Sequence, residues 1–295
     1  MKYIISTDST ADLPKSYTKE HGVAVQFLSY AFGDTVYDID TQLDPHDFYT
    51  RMRSGEMPTT NACIPDQVQS DFETYLKEGY DILHISFSSG LSASHNNARI
   101  AANELAEQYP DRKIVIVDSL CASLGQGLFV HYAVTMKEQG KSLEEVAAWL
   151  EENKLHLCHQ FTVDDLFHLQ RGGRVSKTTA LVGSALNLKP FLSVTAEGTL
   201  ISDGTARGRK KSLRTLVDRM KNSLEETPDT SVPVGIVHGN CLEDAENVAE
   251  LIKSETGFTN IIINDISPSI GTHAGPGAMG LLYYGKLKPS ADENK

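Results

Sequence analysis

Residues 81–108, DILHISFSSGLSASHNNARIAANELAEQ, constrain the fold more than any other stretch of this chain. Ile82, Leu83, Ile85 and Phe87 form an apolar run of strand length, Ser88-Ser89-Gly90 interrupts it, and Ser92 to Gln108 carries helix-forming residues. A strand, a turn and a helix in that order leave the first backbone N–H groups of the helix unpaired beside several serine hydroxyls. The natural guest of such a turn is an anion, phosphate or carboxylate. The structural alternative is that Ser92 or a neighbour only caps the helix.

The same kind of turn recurs. In YIISTDSTADLP, Tyr3 to Ser6 read as a strand that ends in Thr7-Asp8-Ser9-Thr10; in KIVIVDSLCASLGQGL, Ile114 to Val117 form a strand followed by Asp118-Ser119. These endings put Asp8, Ser88 and Ser119 along the carboxyl edge of an open parallel sheet, where folds of this kind bind ligands. Helices at 66–78, 124–137 and 142–152 continue the alternation. From about Leu155 the texture changes. FLSVTAEGTLISDGTA alternates about Glu197-Gly198, a hairpin signal, and VPVGIVHGN and TNIIINDISPSI add two strands with a helix from Leu242 to Thr256 between them. A chain of 295 residues has room for two medium cores. The expected architecture is α/β in two domains: 1–160 around a parallel sheet and 161–295 around a mixed one.

Composition removes several classes of function. Asp+Glu number 39 against 27 Lys+Arg, a net charge of −12, whereas a general binder of nucleic acid or anionic membranes is basic. No apolar run approaches the roughly 18 residues of a spanning helix. The N-terminal run is too short for a signal peptide, so a soluble cytoplasmic protein is expected. Cys63, Cys121, Cys158 and Cys241 never form a C-x-x-C pair, which gives no support to a disulfide framework or a zinc site; all four read as buried thiols. Against the acidic background Arg207-Gly208-Arg209-Lys210-Lys211, with Arg214, stands out, as do Arg171 and Arg174. Such clusters suit docking of an acidic partner or steering of an anion.

Other segments carry possible chemistry. Thr59-Thr60-Asn61 offers hydroxyl and amide groups in a stretch with neither helical nor strand period. IGTHAGPGAMG at 270–280 is dense in glycine, which lets a backbone approach a ligand, and His273 is its single titratable side chain. Gly90-Leu91-Ser92-Ala93-Ser94 is similar to a nucleophile elbow, and the order Ser92, Asp265, His273 is that of the α/β-hydrolases. The fifth position, however, is Ser94 where the elbow needs glycine, and no glycine-rich oxyanion loop precedes it. A serine hydrolase using these three residues is the rival reading. Gly140-Lys141-Ser142 joins two helices and lacks the earlier glycine of a P-loop.

Taken jointly, TDSTADLP at 7–14, PTT at 58–60, SSGLS at 88–92, VDS at 117–119, LQRGGRVS at 169–176, LKP at 188–190, GTARGRKK at 204–211 and IGTHAGPGA at 270–278 resemble the DegV family, whose members include the FakB fatty-acid-binding proteins. The resemblance implies a tunnel between two α/β domains that holds one long-chain fatty acid such as palmitate or oleate. It implies that Thr60 and Ser92 donate hydrogen bonds to the carboxylate and that His273 sits beside it. It implies that Arg174, Arg207 and Arg209 face a separate kinase, FakA in the FakB branch, which makes an acyl phosphate for phospholipid synthesis. The chain itself is then a carrier without catalysis, metal or cofactor beyond its lipid, and segment 180–188 becomes a tunnel wall. Two departures flank the expected donors. Asn61-Ala62-Cys63 stands where the family often has Ser-Gln-Pro, and Ala93-Ser94-His95 where it often has Gly-Thr/Ser-Tyr.

Overall fold

The computed structural model describes residues 2–164, 166–176 and 187–291. Its first half contains β1 (Tyr3–Asp8), a 3-10 turn (Ser9–Ala11), α1 (Lys15–Glu20), β2 (Ala24–Gln26), β3 (Tyr30–Phe32), β4 (Thr35–Tyr37), α2 (Pro45–Arg53), β5 (Thr59–Thr60), α3 (Pro65–Lys77), β6 (Asp81–Ser86), α4 (Ser94–Gln108), β7 (Ile114–Asp118), α5 (Leu124–Glu138) and α6 (Leu143–Asn153). The second contains β8 (Leu157–Thr162), α7 (Phe167–Arg171), β9 (Leu188–Val194), β10 (Leu200–Arg207), α8 (Arg209–Ser223), β11 (Val234–His238), α9 (Leu242–Thr256), β12 (Ile261–Asp265), α10 (Pro268–Ala274) and β13 (Met279–Tyr284).

The first sheet is parallel, in the order β2-β1-β6-β7. Every residue of β6 is buried, Asp81, His84 and Ser86 included, as a central parallel strand covered by helices on both faces requires. The strand ends at Asp8, Ser86 and Asp118 share one edge, as the recurring turns imply. The second sheet runs β10-β9-β8-β13-β11-β12 and is antiparallel except for β11 and β12. Its strand β8 spans residues 157–162, so a division of the chain at 160/161 falls inside that strand. VAVQFLSYAF, which reads as one strand, is two: β2 joins the parallel sheet, while β3 turns back through Gly33 (φ 56°) to pair with β4. On its other side β3 pairs with β5, setting Thr60 opposite Tyr30.

Helix α5 lies between the two sheets. Its first seven residues, 124–130, are all buried, and an all-round apolar helix has no stable place except inside a core. One continuous cluster runs from Ile5, Leu83 and Ile85 through Leu128 and Phe129 to Leu192 and Leu282. At about 1.5–3 kcal/mol for each large side chain fully buried, this shared core joins the halves of the molecule. Gly125 is forced by that packing, because a Cβ there would lie 2.1 Å from His159 Nε2. The Gly140-Lys141-Ser142 triplet is a helix boundary: Gly140 has φ 86°, and Ser142 forms a capping box with Glu145.

Candidate functional site

Four separate elements converge on one end of a cavity of about 280 Å³ between the sheets. Strand β5 brings Thr60, the turn after β6 brings Ser92, α10 brings His273, and the turn after α7 brings Arg174. Ser92 precedes the helix, which begins at Ser94; its hydroxyl accepts from Ser94 N at 3.2 Å and bonds Ser94 Oγ at 2.9 Å. The two departures from the family pattern meet here. Cys63 N donates to Ser94 Oγ at 3.2 Å, and Asn97 Nδ2 donates to Cys63 O at 2.8 Å, so the altered loops hold each other.

His273 sits in the last turn of a short helix that Pro268 begins and Gly275 ends at φ 80°, and not in the open loop that the density of glycine implies. Its Nε2 lies 2.9 Å from Thr60 Oγ1. Its Nδ1 is buried, has no hydrogen-bond partner among the described residues and faces Gly172, where a Cβ would come within 2.1 Å. Burial, helped by the charges of Arg174, Arg171 and His168, pushes the imidazole down to about 3, so the ring is neutral at physiological pH.

Arg174 and Arg171 are the charges of this end. Arg174 donates to Leu91 O at 3.2 Å and to Gly172 O, while Arg171 donates to Pro58 O at 2.8 Å. Burial lowers both guanidinium groups, which still stay charged. Among the described residues neither has a carboxylate partner. Arg174 is half-buried on the cavity wall, and Arg171 is exposed with a hydrogen bond to Thr272 O next to His273, so this end of the cavity carries positive charge.

The remainder of the cavity is apolar. Phe87, Phe161, Val194, Val237, Ile266 and Leu282 form its walls, drawn from both sheets. Five polar side chains also line it, and each is engaged elsewhere. Asn61 Nδ2 donates to Ser29 Oγ at 3.0 Å. Thr10 donates to Gln126 Oε1 at 3.0 Å, Ser123 to Asp12, and Ser269 to Leu28 O at 2.8 Å. His159 bonds Leu157 O and the backbone of Ala122 through its two nitrogens; burial pushes it down to about 3.

The other sequence-derived residues fall elsewhere. Ser88 is buried and donates to Gly198 O at 2.7 Å, pinning the β9–β10 hairpin to the turn that carries Ser92. Ser119 is buried and donates to Ser86 O at 2.7 Å. Asp8, fully buried, accepts from Phe87 N at 2.6 Å; burial pushes its carboxyl up to about 6. None of these three lines the cavity. Arg174, assigned by resemblance to an outward docking face, is on the cavity wall. Arg207 is exposed, whereas Arg209 is tied to Asp244 at 2.7 Å and Gly277 O at 2.7 Å. The triad Ser92, Asp265, His273 is not assembled: Asp265 pairs with His238 at 3.2 Å, His273 with Thr60, and Ser92 with Ser94. The 180–186 part of the expected tunnel wall lies outside the described residues.

Sequence reasoning missed the inward role of Arg174 and the bracing by Ser94. The signal for the first was present in Gly172-Gly173, since Gly173 (φ 75°) turns the chain back after α7 and Gly172 admits His273. Cys63, Cys121 and Cys158 are buried and Cys241 half-buried, all as free thiols. No group of three or more His, Cys, Asp or Glu suited to a metal occurs among the described residues, and no helix there is long and apolar enough to cross a membrane.

Known proteins share this fold. The family described as "Uncharacterised protein, DegV family" matches residues 2–286. A DegV domain-containing protein of Clostridium perfringens is 43% identical over 289 residues, 97% of this chain and 99% of that one. A DegV family protein from Thermus thermophilus, solved as a fatty acid binder, superimposes with a TM-score of 0.85 at 29% identity, covering 97% of this chain and 100% of that one. DegV from Bacillus subtilis, described as a fatty acid binding protein, gives 0.81 at 29% identity over 97% and 100%. With sequence and fold matched from the first strand to the last, this chain belongs to the DegV family.

Proposed function

We propose that this protein binds one long-chain fatty acid, tail inward, and presents the carboxylate to a separate fatty acid kinase. The observation that carries the reading is the cavity-lining Arg174, without a carboxylate partner among the described residues, beside the neutral His273–Thr60 pair at one end of an apolar cavity, with the exposed Arg171 nearby. With His273 donating from Nε2 to Thr60 Oγ1, the threonine proton is free for the ligand. The Ser92 hydroxyl and the Arg174 guanidinium supply further charge-assisted bonds. The tail provides most of the affinity: about 0.8 kcal/mol per CH₂ gives on the order of 10 kcal/mol for a sixteen-carbon chain, less the cost of ordering it.

The fatty-acid-binding relatives from Thermus thermophilus and Bacillus subtilis support the ligand class. The hand-off to a kinase in the cytoplasm, for phospholipid synthesis, rests on the FakB-like motifs. In this reading the protein is a non-catalytic carrier of two domains, with its ligand between them. The exposed Arg207, Lys210 and Lys211 form the docking surface, and Arg209 holds its base in place.

The test is native mass spectrometry of the purified protein, followed by solvent extraction and identification of what is released. A long-chain fatty acid retained by the wild type and weakened in Thr60→Ala and Ser92→Ala is expected. A protein that is empty and takes up neither palmitate nor oleate would overturn the reading. For the hand-off, acyl phosphate should form with kinase and ATP and fall in Lys210→Glu/Lys211→Glu, with lipid binding intact.

A further inference from the structure

Asp12 is the buried group that the site described above leaves unused. It is 4% exposed, adopts a left-handed conformation (φ 49°) at the end of the 3-10 turn after β1, and touches both halves of the molecule. Oδ2 accepts from Ser123, a cavity-lining residue that itself holds φ 54° at the start of α5. Oδ1 accepts from Ser267 N at 3.1 Å, and the backbone carbonyl accepts from Asn264 Nδ2 at 2.8 Å. Ser267 is the N-cap of α10, the helix that carries Ser269, Ile270, His273 and Ala274 into the cavity. Asp12 thus fixes the first residue of the His273 helix to the start of the central helix.

Resting on the fatty-acid reading, we propose that Asp12 is a positioning residue for the carboxylate end of the cavity: its ionised carboxylate sets the helix that presents His273 to Thr60 and the ligand. A charged acceptor bonds a backbone N–H about twice as strongly as a neutral one. When Asp12 takes a proton, its O–H can donate to Ser123 Oγ and the other oxygen can still accept from Ser267 N. The geometry survives while the tether on α10 weakens. Burial raises this carboxyl to about 7, so the change falls in the physiological range.

The groups that face Asp12 bear on the test. Asp265, at the end of β12 and paired with His238, raises its pKa. Tyr49 on α2 feels its charge. Lys15 on α1 and Asp44, the N-cap of α2, line the polar cleft that Asp12 and Asp8 also line. None of them bonds Ser267 N, so none replaces the tether.

Asp12→Asn is the diagnostic variant, because its amide can donate to Ser123 while its oxygen accepts from Ser267, copying the protonated state. Affinity for a fluorescent fatty acid is measured on the full chain between pH 6 and 8, with the Ser267 amide proton followed by NMR in the lipid-free protein. The wild type should bind about five-fold more tightly at pH 8 than at pH 6, and the Ser267 amide should titrate over the same range. Asp12→Asn should be flat, at the weaker level, with an amide shift that does not move. Ser123→Ala removes a bond that favours the charged form and should displace the step to higher pH. A wild type without a step, or an Asp12→Asn variant that keeps it, overturns the proposal and leaves fatty-acid binding standing. A wild type that binds no fatty acid at either pH overturns both.

Discussion

The two ends of the cavity contain nearly the same residue types and do opposite things with them. Thr, Ser and His occur at both. On the rest of the lining the hydroxyls of Thr10, Ser123 and Ser269 donate away from the cavity to Gln126, Asp12 and Leu28 O, and both nitrogens of His159 are held by backbone. At the other end Thr60 and His273 bond each other, and among the described residues His273 Nδ1 has no hydrogen-bond partner and neither Arg174 nor the exposed Arg171 has a carboxylate partner. Polarity in a buried site is set by which donors are already committed, and residue type alone does not reveal it. The first set is therefore an apolar wall made partly of polar residues, and the end at Thr60, His273 and Arg174 is polar and positively charged.

Several substitutions break or sharpen that contrast. The largest effect is expected from Arg174→Glu, which replaces the lining cation with an anion; fatty acid affinity should fall about 100-fold or more by displacement titration. Thr60→Val keeps the shape and deletes the hydroxyl, and a lost bond to a charged group should cost about ten-fold or more. At the apolar end, Gly280→Val would bring a Cβ to 3.0 Å from Val237 Cγ2 and narrow the space between Phe161 and Leu282. The longest acyl chains should lose about four-fold for each methylene no longer buried, while shorter chains bind as before.

Acid separates the ends too. His159 and His273 are both held near 3 in the fold against an ordinary 6.5, so the unfolded chain binds more protons between those values. Stability is lost as pH falls through that window. His159→Gln should reduce the loss by about 1.4 kcal/mol per pH unit, read by urea denaturation from pH 6 to 4. Bound lipid should shield His273 from this effect and leave His159 unchanged, because only the former gains a carboxylate neighbour. The smallest effect on binding is expected at Ser269→Ala: about 1 kcal/mol of stability lost with the bond to Leu28 O, and affinity within two-fold of wild type.

Much of this was legible from residues alone. The strand endings at Asp8, Ser86 and Asp118 share an edge because period and turn chemistry are local, and Thr60, Ser92 and His273 do converge. The inner wall was not legible, since Phe161, Val194, Val237 and Leu282 come from four strands whose pairing is long-range. Charge density drew attention to 207–211 without showing that Arg209 is bound to Asp244 and Arg207 is not. The direction of Arg174 depends on Gly172 and Gly173 turning the chain after α7, a backbone property that a list of basic residues conceals.

The contrast between the ends is tested most directly by carbon-13 NMR of carboxyl-labelled palmitate bound to the protein, followed from pH 8 to 4. One slow-exchange carboxyl resonance is expected, held ionised by Arg174 to a pH well below that of the free acid and restored toward the free value in Arg174→Ala. A carboxyl that titrates like the free acid, or a protein that takes up no palmitate at all, would contradict an anion site at that end of the cavity.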